Sequence, residues 1–354
     1  MPWLGEPSVA ASRWDTRAHA RPPPTARHYA VNPHCGATLL VVFAALAFVA
    51  IAIPTAARLF GWEARPLAIL VSLMPWVTLA CVVPIVLSMV VRAWWLLGAS
   101  VAVAALCVGW AAPMFTAQEA DGIPVLTVAN INLTFGRADA AAVVALVKAN
   151  EVDVLAAQEV TPEVVDALSL AGLDDLLPYS QVAAEPGVTG TALWSRTPLS
   201  DAESLDGNAE TDLLGGYVSR AVQGGIEISG RRVTVLAVHP AAPGLFSHAS
   251  WDADLAHLTK TLATHTDPIL VLGDFNTTRD HRAFRDIQAL GYADAADQAG
   301  TGFMPTFPQG RKPWPLVAID HALVSHVDLV ATSVTTEAVP GADHRMLLVT
   351  YSER

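Results

Sequence analysis

Six groups of polar residues stand at the ends of short apolar runs in the C-terminal two thirds of the chain. They are Asn132, Gln158-Glu159, His239-Pro240, Asp274 with Asn276, Asp320-His321 and Asp343-His344. Carboxylates and carboxamides are hard oxygen ligands that suit Mg²⁺ or Mn²⁺ better than Zn²⁺. The imidazoles could donate to a developing oxyanion or protonate a leaving group. Because open α/β sheets gather their sites at strand ends, we expect these side chains to converge.

Each group also has an ordinary interpretation when it is taken alone. The apolar run in ILVLGDFNTT ends on Gly-Asp-Phe-Asn, and Asp-x-Asn is typical of a turn that bonds its own backbone. A lone Glu after a strand is usually solvated. The chain, however, has no Gly-rich nucleotide loop, no Gly-x-Ser-x-Gly elbow, and no cysteine after residue 117. The chemistry that remains is metal-assisted attack of water on a phosphoester.

The region that carries these residues alternates short apolar strands with amphipathic helices, which is the α/β pattern. Strands are predicted at 125–132, 152–157, 191–195, 233–238, 269–272, 317–322 and 346–351. Helices are predicted after Asp139, after Thr161, and over 251–265 and 281–290. The turn in ISGRRV is typical of a hairpin, so the sheets are expected to be partly antiparallel.

The N-terminal third of the chain contains three long apolar segments that have no charged residue. They are 37–57, 66–91 and 93–117. Each reaches the roughly 20 residues that a helix needs to cross the hydrocarbon core of a bilayer. The first begins too far into the chain for an ordinary signal peptide. We therefore predict a disordered tail over 1–36, an uncleaved anchor of three transmembrane helices over 37–117, and a separate domain over 118–354.

The distribution of positive charge predicts how this anchor is oriented. Four arginines lie in the tail, two in the first loop and one in the second: Arg13, Arg17, Arg21 and Arg27, then Arg58 and Arg65, then Arg92. Because Lys and Arg are enriched in cytoplasmic loops, the tail is predicted to be inside. Three spans then leave the C-terminal domain outside the cytoplasm, on a multi-pass protein of the cell membrane.

The predicted C-terminal domain is acidic. From residue 118 onward there are 14 Lys or Arg against 30 Asp or Glu, a formal charge of −16, whereas residues 1–117 hold 7 against 3, a charge of +4. All three cysteines lie before residue 118, which fits an exported domain without requiring one. An acidic surface argues against tight, sequence-independent binding to duplex DNA, because such binding depends on a basic face.

The order of the motifs resembles that of the endonuclease/exonuclease/phosphatase superfamily, in particular its bacterial membrane-anchored members. The resemblance spans 123–354 and rests on Asn132, Gln158-Glu159, GTALWSR at 190–196, His239-Pro240, GDFN at 273–276, Ile319-Asp320-His321 and Asp343-His344. It implies a four-layer α/β sandwich, in which two mixed β-sheets are flanked by helices. It also implies dependence on Mg²⁺ or Mn²⁺.

The resemblance also implies roles for individual residues. Glu159 would be the principal metal ligand with Asn132 beside it, Asn130 being the weaker alternative, and Asp343 would support the metal. Asp274 would orient or deprotonate the attacking water. The remaining expected roles are phosphate binding or water positioning by Asn276, contact with the scissile phosphate by His344, orientation of that imidazole by Asp320, and a second phosphate-facing imidazole at His239.

Four further positions complete this comparison. Ala342 stands where the family often has Ser, which removes a hydroxyl but no ligand. His321 is expected to be structural. Tyr217 and Arg220 could contact substrate.

The sequence leaves the substrate open. The leading prediction is a membrane-anchored phosphodiesterase of nuclease type. The only dense cluster of basic residues that could bind nucleic acid is formed by the arginines of RDHRAFR, namely Arg279, Arg282 and Arg285. Such a cluster is more often a solvated face of a helix. A phospholipid or sphingomyelin-type phosphodiesterase would suit the anchor and the acidic surface, and a small phosphate monoester remains open. A membrane-tethered binding domain without turnover is the non-enzymatic alternative. No obligate protein partner is evident.

Overall fold

The N-terminal part of the chain forms five apolar helices. The computed structural model describes residues 33–64, 66–120, 122–205, 221–244, 249–310 and 315–354. The helices are α1 (Pro33–Phe60), α2 (Pro66–Ser72), α3 (Met74–Ala80), α4 (Val82–Val90) and α5 (Trp94–Ala111), and we refer to them together as the N-terminal helices. Two stretches are long and apolar enough to cross a membrane, Thr38–Phe60 and Trp94–Phe115.

The middle apolar segment is not the single straight helix that its composition predicts. Pro66–Ser72 and Met74–Val90 meet at an angle of 68°, and the two together make a third span only if the bent pair is counted as one. Pro75 stands at the start of α3. Proline lacks an N–H and is tolerated in the first turn of a helix, so the position of Pro75 agrees with a new helix that begins after Leu73.

The remainder of the chain folds into twelve strands and six helices within the part that the structure describes. The strands are β1 (Pro124–Asn132), β2 (Val154–Gln158), β3 (Tyr179–Ala183), β4 (Thr191–Ser195), β5 (Ser200–Leu205), β6 (Ala221–Ile228), β7 (Arg231–Val238), β8 (Ile269–Asp274), β9 (Ala293–Asp294), β10 (Asp320–Ser325), β11 (Leu329–Glu337) and β12 (Met346–Glu353). The helices are α6 (Ala140–Ala149), α7 (Pro162–Leu170), α8 (Leu173–Leu176), α9 (Ala249–Thr264), α10 (Arg282–Ala289) and α11 (Ala295–Ala299).

These strands form two six-stranded mixed sheets. One has the order β11-β12-β1-β2-β4-β3 and the other β5-β6-β7-β8-β10-β9. Each sheet has one central parallel pair, β1 with β2 and β7 with β8. A parallel pair needs a crossover connection, which α6 and α9 supply. The predicted combination of parallel and antiparallel pairing is therefore confirmed.

The sheets pack face to face around an apolar core, and helices cover their outer faces. The inner core includes Val128, Val235 and Leu272, each fully buried. Helices α6 and α7 pack on the outside of the first sheet, and α9 and α10 on the outside of the second. Since every residue of β8 is buried, this strand reads as a continuous apolar run and not as an alternating one. The arrangement is the expected four-layer sandwich.

The N-terminal helices contact the sandwich near α10. Arg58 at the end of α1 forms a buried ion pair with Asp280, with 2.6 Å between Nε and Oδ1, and its guanidinium carbon lies 3.8 Å from the centre of the Trp110 ring. Trp76 donates its indole N–H to the Leu316 carbonyl at 2.8 Å. The two parts of the chain are therefore joined by specific polar contacts in addition to the connecting segment.

The basic cluster at residues 279–285 takes part in this junction, so neither sequence-based interpretation describes the cluster as a whole. Arg279 donates to the Trp110 carbonyl at 2.8 Å and pairs with Asp297, and Arg285 donates to the Arg58 carbonyl at 3.0 Å. Arg282 alone is largely exposed, with an ion pair to Asp286 four residues later. Two of the three guanidinium groups are thus committed to packing contacts, and they form neither a nucleic-acid-binding face nor a solvated helix face.

Candidate active site

Asp274 lies at the centre of the polar residues that the strands bring together. It ends β8, and its side chain is 1% exposed. The Asp274 Oδ2 atom is 3.0 Å from the Asn132 amide nitrogen, and 3.6 Å from the Nε2 atoms of both His239 and His344. Its Oδ1 atom accepts the backbone N–H of Asn276 at 2.9 Å. Strand ends from both sheets therefore meet at one carboxylate.

His344 is held from behind by a buried chain of polar side chains. Its Nδ1 atom lies 2.8 Å from Asp320 Oδ2, while Asp320 Oδ1 accepts the Asn130 amide N–H at 3.0 Å. Asn130 Oδ1 in turn accepts from the Gln158 amide at 2.8 Å. The chain fixes the imidazole with Nδ1 toward Asp320 and Nε2 toward Asp274. Contact between Asp320 and the imidazole of His344 is what the family resemblance implies for this pair.

The electrostatic surroundings of His344 favour the imidazolium. Burial lowers the pKa of His344, but the negative charges of Asp320 and Asp274 outweigh burial and raise it to about 10. Burial raises the pKa of Asp320, and its contact with His344 opposes that rise. We assign the proton of the pair to the imidazole, because the carboxylate accepts from both His344 and Asn130. A cation at Nε2 is suited to a phosphate oxygen.

Glu159 follows β2 and lies beside Asn132. The Asn132 amide donates to Glu159 Oε1 at 3.1 Å, and the backbone N–H of Phe135 donates to Oε2 at 2.7 Å. Asp343 is bound to the same turn, because its Oδ1 atom lies 2.6 Å from the Thr134 hydroxyl. The structure thus places the three expected metal ligands, Glu159, Asn132 and Asp343, around the turn that follows β1.

Four non-glycine residues with left-handed backbone lie at this turn, at the end of β2 and in the loop after β8. Thr134, Phe135, Glu159 and Asn276 have φ angles of 52°, 56°, 55° and 48°. A non-glycine residue in the left-handed region costs on the order of 1–3 kcal/mol and persists only when its surroundings enforce it. Other such residues, including Glu151 and Ser229, lie in turns away from the site, so this geometry agrees with an active site here but does not identify it.

The two remaining catalytic candidates border Asp274. His239 lies 3.1 Å through Nδ1 from the Val188 carbonyl, which leaves Nε2 on the Asp274 side. The Asn276 amide donates to the Pro240 carbonyl at 2.9 Å, so its side chain lies against the His239-Pro240 segment. Arg220 and Tyr217, the expected substrate contacts, lie outside the described residues.

The donor set fits a divalent cation that prefers oxygen. Asp274, Asp320 and His344 each offer one atom within 4.8 Å of the other two. Asp320 and His344 already bind each other, so Glu159 is the better-placed carboxylate ligand. The Asn132 amide nitrogen is 3.1 Å from Glu159 Oε1 and 3.0 Å from Asp274 Oδ2, and its Oδ1 atom accepts the Thr134 N–H at 2.9 Å. Glu159 and Asn132, with Asp343 on the same turn, would hold such a cation through side-chain oxygens.

His321 faces away from this site, next to Asp320 in the chain. Its Nδ1 atom lies 2.8 Å from Asp294, and its Nε2 atom lies 3.0 Å from the Thr277 carbonyl. Burial lowers the pKa of His321, but Asp294 outweighs burial and raises it. Because alternate residues of a strand face opposite sides, Asp320 reaches His344 while His321 reaches the loop after β8. These contacts agree with the structural role expected for His321.

Sequence reasoning did not assign the supporting roles of four residues around the site, although it named Asn130 as a weaker candidate metal ligand. Asn130 is two residues before Asn132, and this spacing places both amides on the same face of β1. Gln158 was recognised only as part of a motif. Trp251, whose indole donates to the Asn276 carbonyl at 3.0 Å, lies 25 residues before it in the chain, so only the tertiary contact reveals the connection. His281 accepts the Thr278 N–H at 2.9 Å and lies close to GDFN in sequence, but its residue type alone does not predict that bond.

The fold and the motifs have counterparts among known proteins. An endonuclease/exonuclease/phosphatase from Beutenbergia cavernae is 17% identical, with a TM-score of 0.52 over 65% of this chain and 72% of that chain. An AP endonuclease from Archaeoglobus fulgidus is 16% identical, with a TM-score of 0.51 over 63% and 98%. A mannosyl-6-phosphatase from Bacteroides thetaiotaomicron is 15% identical, with a TM-score of 0.50 over 64% and 99%.

These structural similarities show the fold alone. No curated protein sequence matches the chain. The sequence model of the Endonuclease/Exonuclease/phosphatase family matches residues 128–344, which is more than half of the chain and includes every motif from Asn132 to His344. The chain therefore belongs to the endonuclease/exonuclease/phosphatase family, whose members are phosphoesterases and nucleases.

Proposed function

We propose that the protein is a divalent-metal-dependent phosphodiesterase, anchored in the cell membrane by three spans, with its catalytic domain over 118–354 outside the cytoplasm. The observation that carries the proposal is the placement of Asp274 between the Nε2 atoms of His239 and His344, 3.6 Å from each. A carboxylate flanked by two imidazoles can hold a water molecule and accept its proton next to groups that bind a phosphate.

The residues would divide the work as follows. Asp274 orients the attacking water and takes its proton. His344, held as imidazolium by Asp320, stabilises the negative charge that develops on the phosphate and can protonate the leaving oxygen. His239 and the Asn276 amide bind the other phosphate oxygens. Glu159 and Asn132, supported by Asp343, would hold Mg²⁺ or Mn²⁺, which when bound acts as a Lewis acid on the phosphoryl oxygens.

The test is hydrolysis of bis-p-nitrophenyl phosphate by the full chain in detergent, with Mg²⁺ or Mn²⁺ and after chelation. We expect metal-dependent turnover that Asp274→Asn lowers by about 10²–10⁴-fold, because a general base is removed. Asp328→Asn is the matched control, since Asp328 is 73% exposed and its ion pair is on the surface. Turnover that survives chelation, or that Asp274→Asn leaves unchanged, would contradict the proposal.

One observation favours a phospholipid or sphingomyelin-type substrate over nucleic acid as the natural phosphodiester. Two arginines of the densest basic cluster, Arg279 and Arg285, are bound to carbonyls of the N-terminal helices. Residues 118–354 carry a formal charge of −16, so little basic surface remains for the phosphates of a polynucleotide.

Two classes of substrate distinguish these possibilities. The full chain in nanodiscs, with Mn²⁺, is given lipid substrates in one assay, phospholipid and sphingomyelin in vesicles. In a second assay it is given single- and double-stranded oligonucleotides. Release of a phosphorylated headgroup, without cleavage of the oligonucleotides, is the expected result. Efficient cleavage of the oligonucleotides at physiological salt, with intact lipid, would assign the enzyme to the nucleases.

A further inference from the structure

Three consecutive residues of the loop that follows β8 are each bound by a ring from a different element. The indole N–H of Trp251, on α9, donates to the Asn276 carbonyl at 3.0 Å. The imidazole of His321, on β10, lies 3.0 Å from the Thr277 carbonyl. The Thr278 N–H donates to Nδ1 of His281, the residue before α10, at 2.9 Å. We call residues 273–278 the GDFN loop.

Two of these three rings also contact the N-terminal helices. Nε2 of His281 lies 2.9 Å from the carbonyl oxygen of Ala68, on α2. The Ala68 side chain is fully buried and packs in one apolar cluster with Trp251 and Leu255. The rings of Trp251 and His281 meet edge to face, with 5.3 Å between their centres. One turn of α2 is therefore in contact with both side chains that hold residues 276 and 278.

The hydrogen bonds determine the state of the His281 ring. Since Nδ1 accepts the Thr278 N–H, its lone pair is free of a proton, and the ring hydrogen is on Nε2, where it donates to Ala68. Burial lowers the pKa of His281 to about 4, in agreement with a neutral ring. A neutral imidazole with one acceptor and one donor nitrogen connects the loop to α2 directly.

We propose that α2 is part of the active-site scaffold, and that His281 and Trp251 are positioning residues which fix the GDFN loop against the backbone of Ala68. The loop carries Asp274 and Asn276, and the Asp274 carboxylate accepts the Asn276 N–H, so displacement of residues 276–278 moves both catalytic groups. The N-terminal helices then do more than retain the protein at the membrane. This inference rests on the proposed function for its effect on turnover, but the physical coupling does not depend on it.

One substitution at each of His281 and Trp251 tests the contacts that these rings make. His281→Asn keeps an acceptor near the position of Nδ1 and a favourable residue at the N-terminus of α10, but it cannot reach Ala68. Trp251→Phe keeps an aromatic ring packed on Ala68 but removes the indole N–H that donates to the Asn276 carbonyl. Glu63→Ala is the control, because Glu63 bonds the Arg282 N–H at the same junction and does not contact the GDFN loop.

The full chain in detergent is compared in two assays, backbone hydrogen exchange of residues 274–281 and Mn²⁺-dependent hydrolysis of bis-p-nitrophenyl phosphate. We expect His281→Asn and Trp251→Phe to speed exchange in the GDFN loop and to lower kcat by about tenfold or more with KM nearly unchanged, since small misplacements of catalytic groups are costly. Glu63→Ala should leave loop exchange and kcat at wild-type levels.

The proposal is overturned if His281→Asn retains wild-type exchange in the loop, because the contact with Ala68 then has no influence on it. It is also overturned if the substitutions raise KM and spare kcat. Should one variant fail to fold, the other decides. If the wild-type protein hydrolyses no phosphodiester, the proposed function fails, whereas the exchange comparison still tests the coupling.

Discussion

Asp320 and His344 form a buried pair in which Oδ2 and Nδ1 are 2.8 Å apart, with 0% and 5% of their side chains exposed. The pair joins the two sheets, since Asp320 begins β10 and His344 precedes β12. It directs Nε2 of His344 toward Asp274. The charge and the orientation of the His344 imidazole thus depend on the carboxylate of Asp320.

Replacement of that carboxylate by an amide tests this dependence. In Asp320→Asn the amide can donate to Nδ1, which favours the tautomer with its hydrogen on Nε2 and removes the charge that supports the imidazolium. We expect kcat to fall by about 10²–10⁴-fold with a small change in KM. Steady-state kinetics on bis-p-nitrophenyl phosphate measure both constants. A kcat within a few-fold of wild type would show that Asp320 does not orient His344.

The buried amide of Asn130 is predicted to contribute to stability through two partners. Asn130→Leu leaves Asp320 Oδ1 and the Gln158 amide without the bonds that Asn130 now makes. An unsatisfied buried polar group costs about 1–3 kcal/mol, and we expect a loss of that size in the free energy of unfolding. Denaturant titration in detergent measures it. Asn150→Leu is the control, because Asn150 is exposed and bonds only the Leu146 carbonyl among the contacts of the described residues; an equal loss in both variants would refute the argument.

The ion pair between Arg58 and Asp280 should be costly to break from one side. Both side chains are less than 10% exposed, and Arg58 Nε lies 2.6 Å from Asp280 Oδ1. Arg58→Met leaves a buried uncompensated carboxylate, for which we expect a loss of about 3–5 kcal/mol. The double variant with Asp280→Asn should recover part of that loss. A double-mutant cycle in detergent gives the coupling energy.

An exposed pair provides the reference for this cycle. Arg231 and Asp328 are 68% and 73% exposed, so Arg231→Met should cost no more than about 1 kcal/mol. Losses that are equal at the two sites would mean that the junction between the N-terminal helices and the sandwich contributes little to folding.

His281 makes the stability of the protein depend on pH in a defined window. Burial lowers its pKa in the folded state to about 4 from an ordinary value of 6.5. Between these values the unfolded chain binds more protons than the folded chain, so this contribution is present above pH 6.5 and is lost as the pH falls toward 4. At 1.36 kcal/mol per pKa unit, the loss is about 3 kcal/mol.

The contribution of His281 is obtained by comparing the pH dependence of stability in wild type with that in His281→Asn. Burial raises the pKa of Glu63 and of Asp254, which contributes stability of the opposite sign as the pH falls and is common to both proteins. Thermal midpoints from pH 7 to pH 4 should therefore fall more steeply for wild type. Parallel curves would contradict the assignment of a neutral, buried His281.

The convergence of the candidate site residues was predictable because they lie on strand ends, and the strands have clear sequence patterns. Asn132, Gln158, Asp274 and Asp320 are terminal residues of β1, β2, β8 and β10, and central strands of two packed sheets bring such termini together. The break before α3 was not predicted, because proline does not by itself decide where a helix ends: α1 continues through Pro54, whereas Pro75 stands in the first turn of α3. The positions of the strand ends, by contrast, follow from local rules.

The role of residues 279–285 could not be read in this way. Whether an arginine meets phosphate, water or a backbone carbonyl depends on what packs against it, and the carbonyls of Arg58 and Trp110 are more than 160 residues away in the chain. The same holds for His281 and Ala68, 213 residues apart. Contacts between the N-terminal helices and the sandwich do not produce a periodic pattern in the sequence of either region.

The central claim is that Glu159 and Asp274 have different roles in a metal-dependent phosphodiesterase. The most direct test is to measure turnover as a function of Mn²⁺ concentration in wild type, Glu159→Gln and Asp274→Asn. Loss of a ligand carboxylate should raise the half-saturating Mn²⁺ concentration of Glu159→Gln by about 10–100-fold, with activity recovered at high metal. Asp274→Asn should remain impaired at every concentration. Turnover without metal, or two variants that respond to Mn²⁺ as wild type does, would contradict the account.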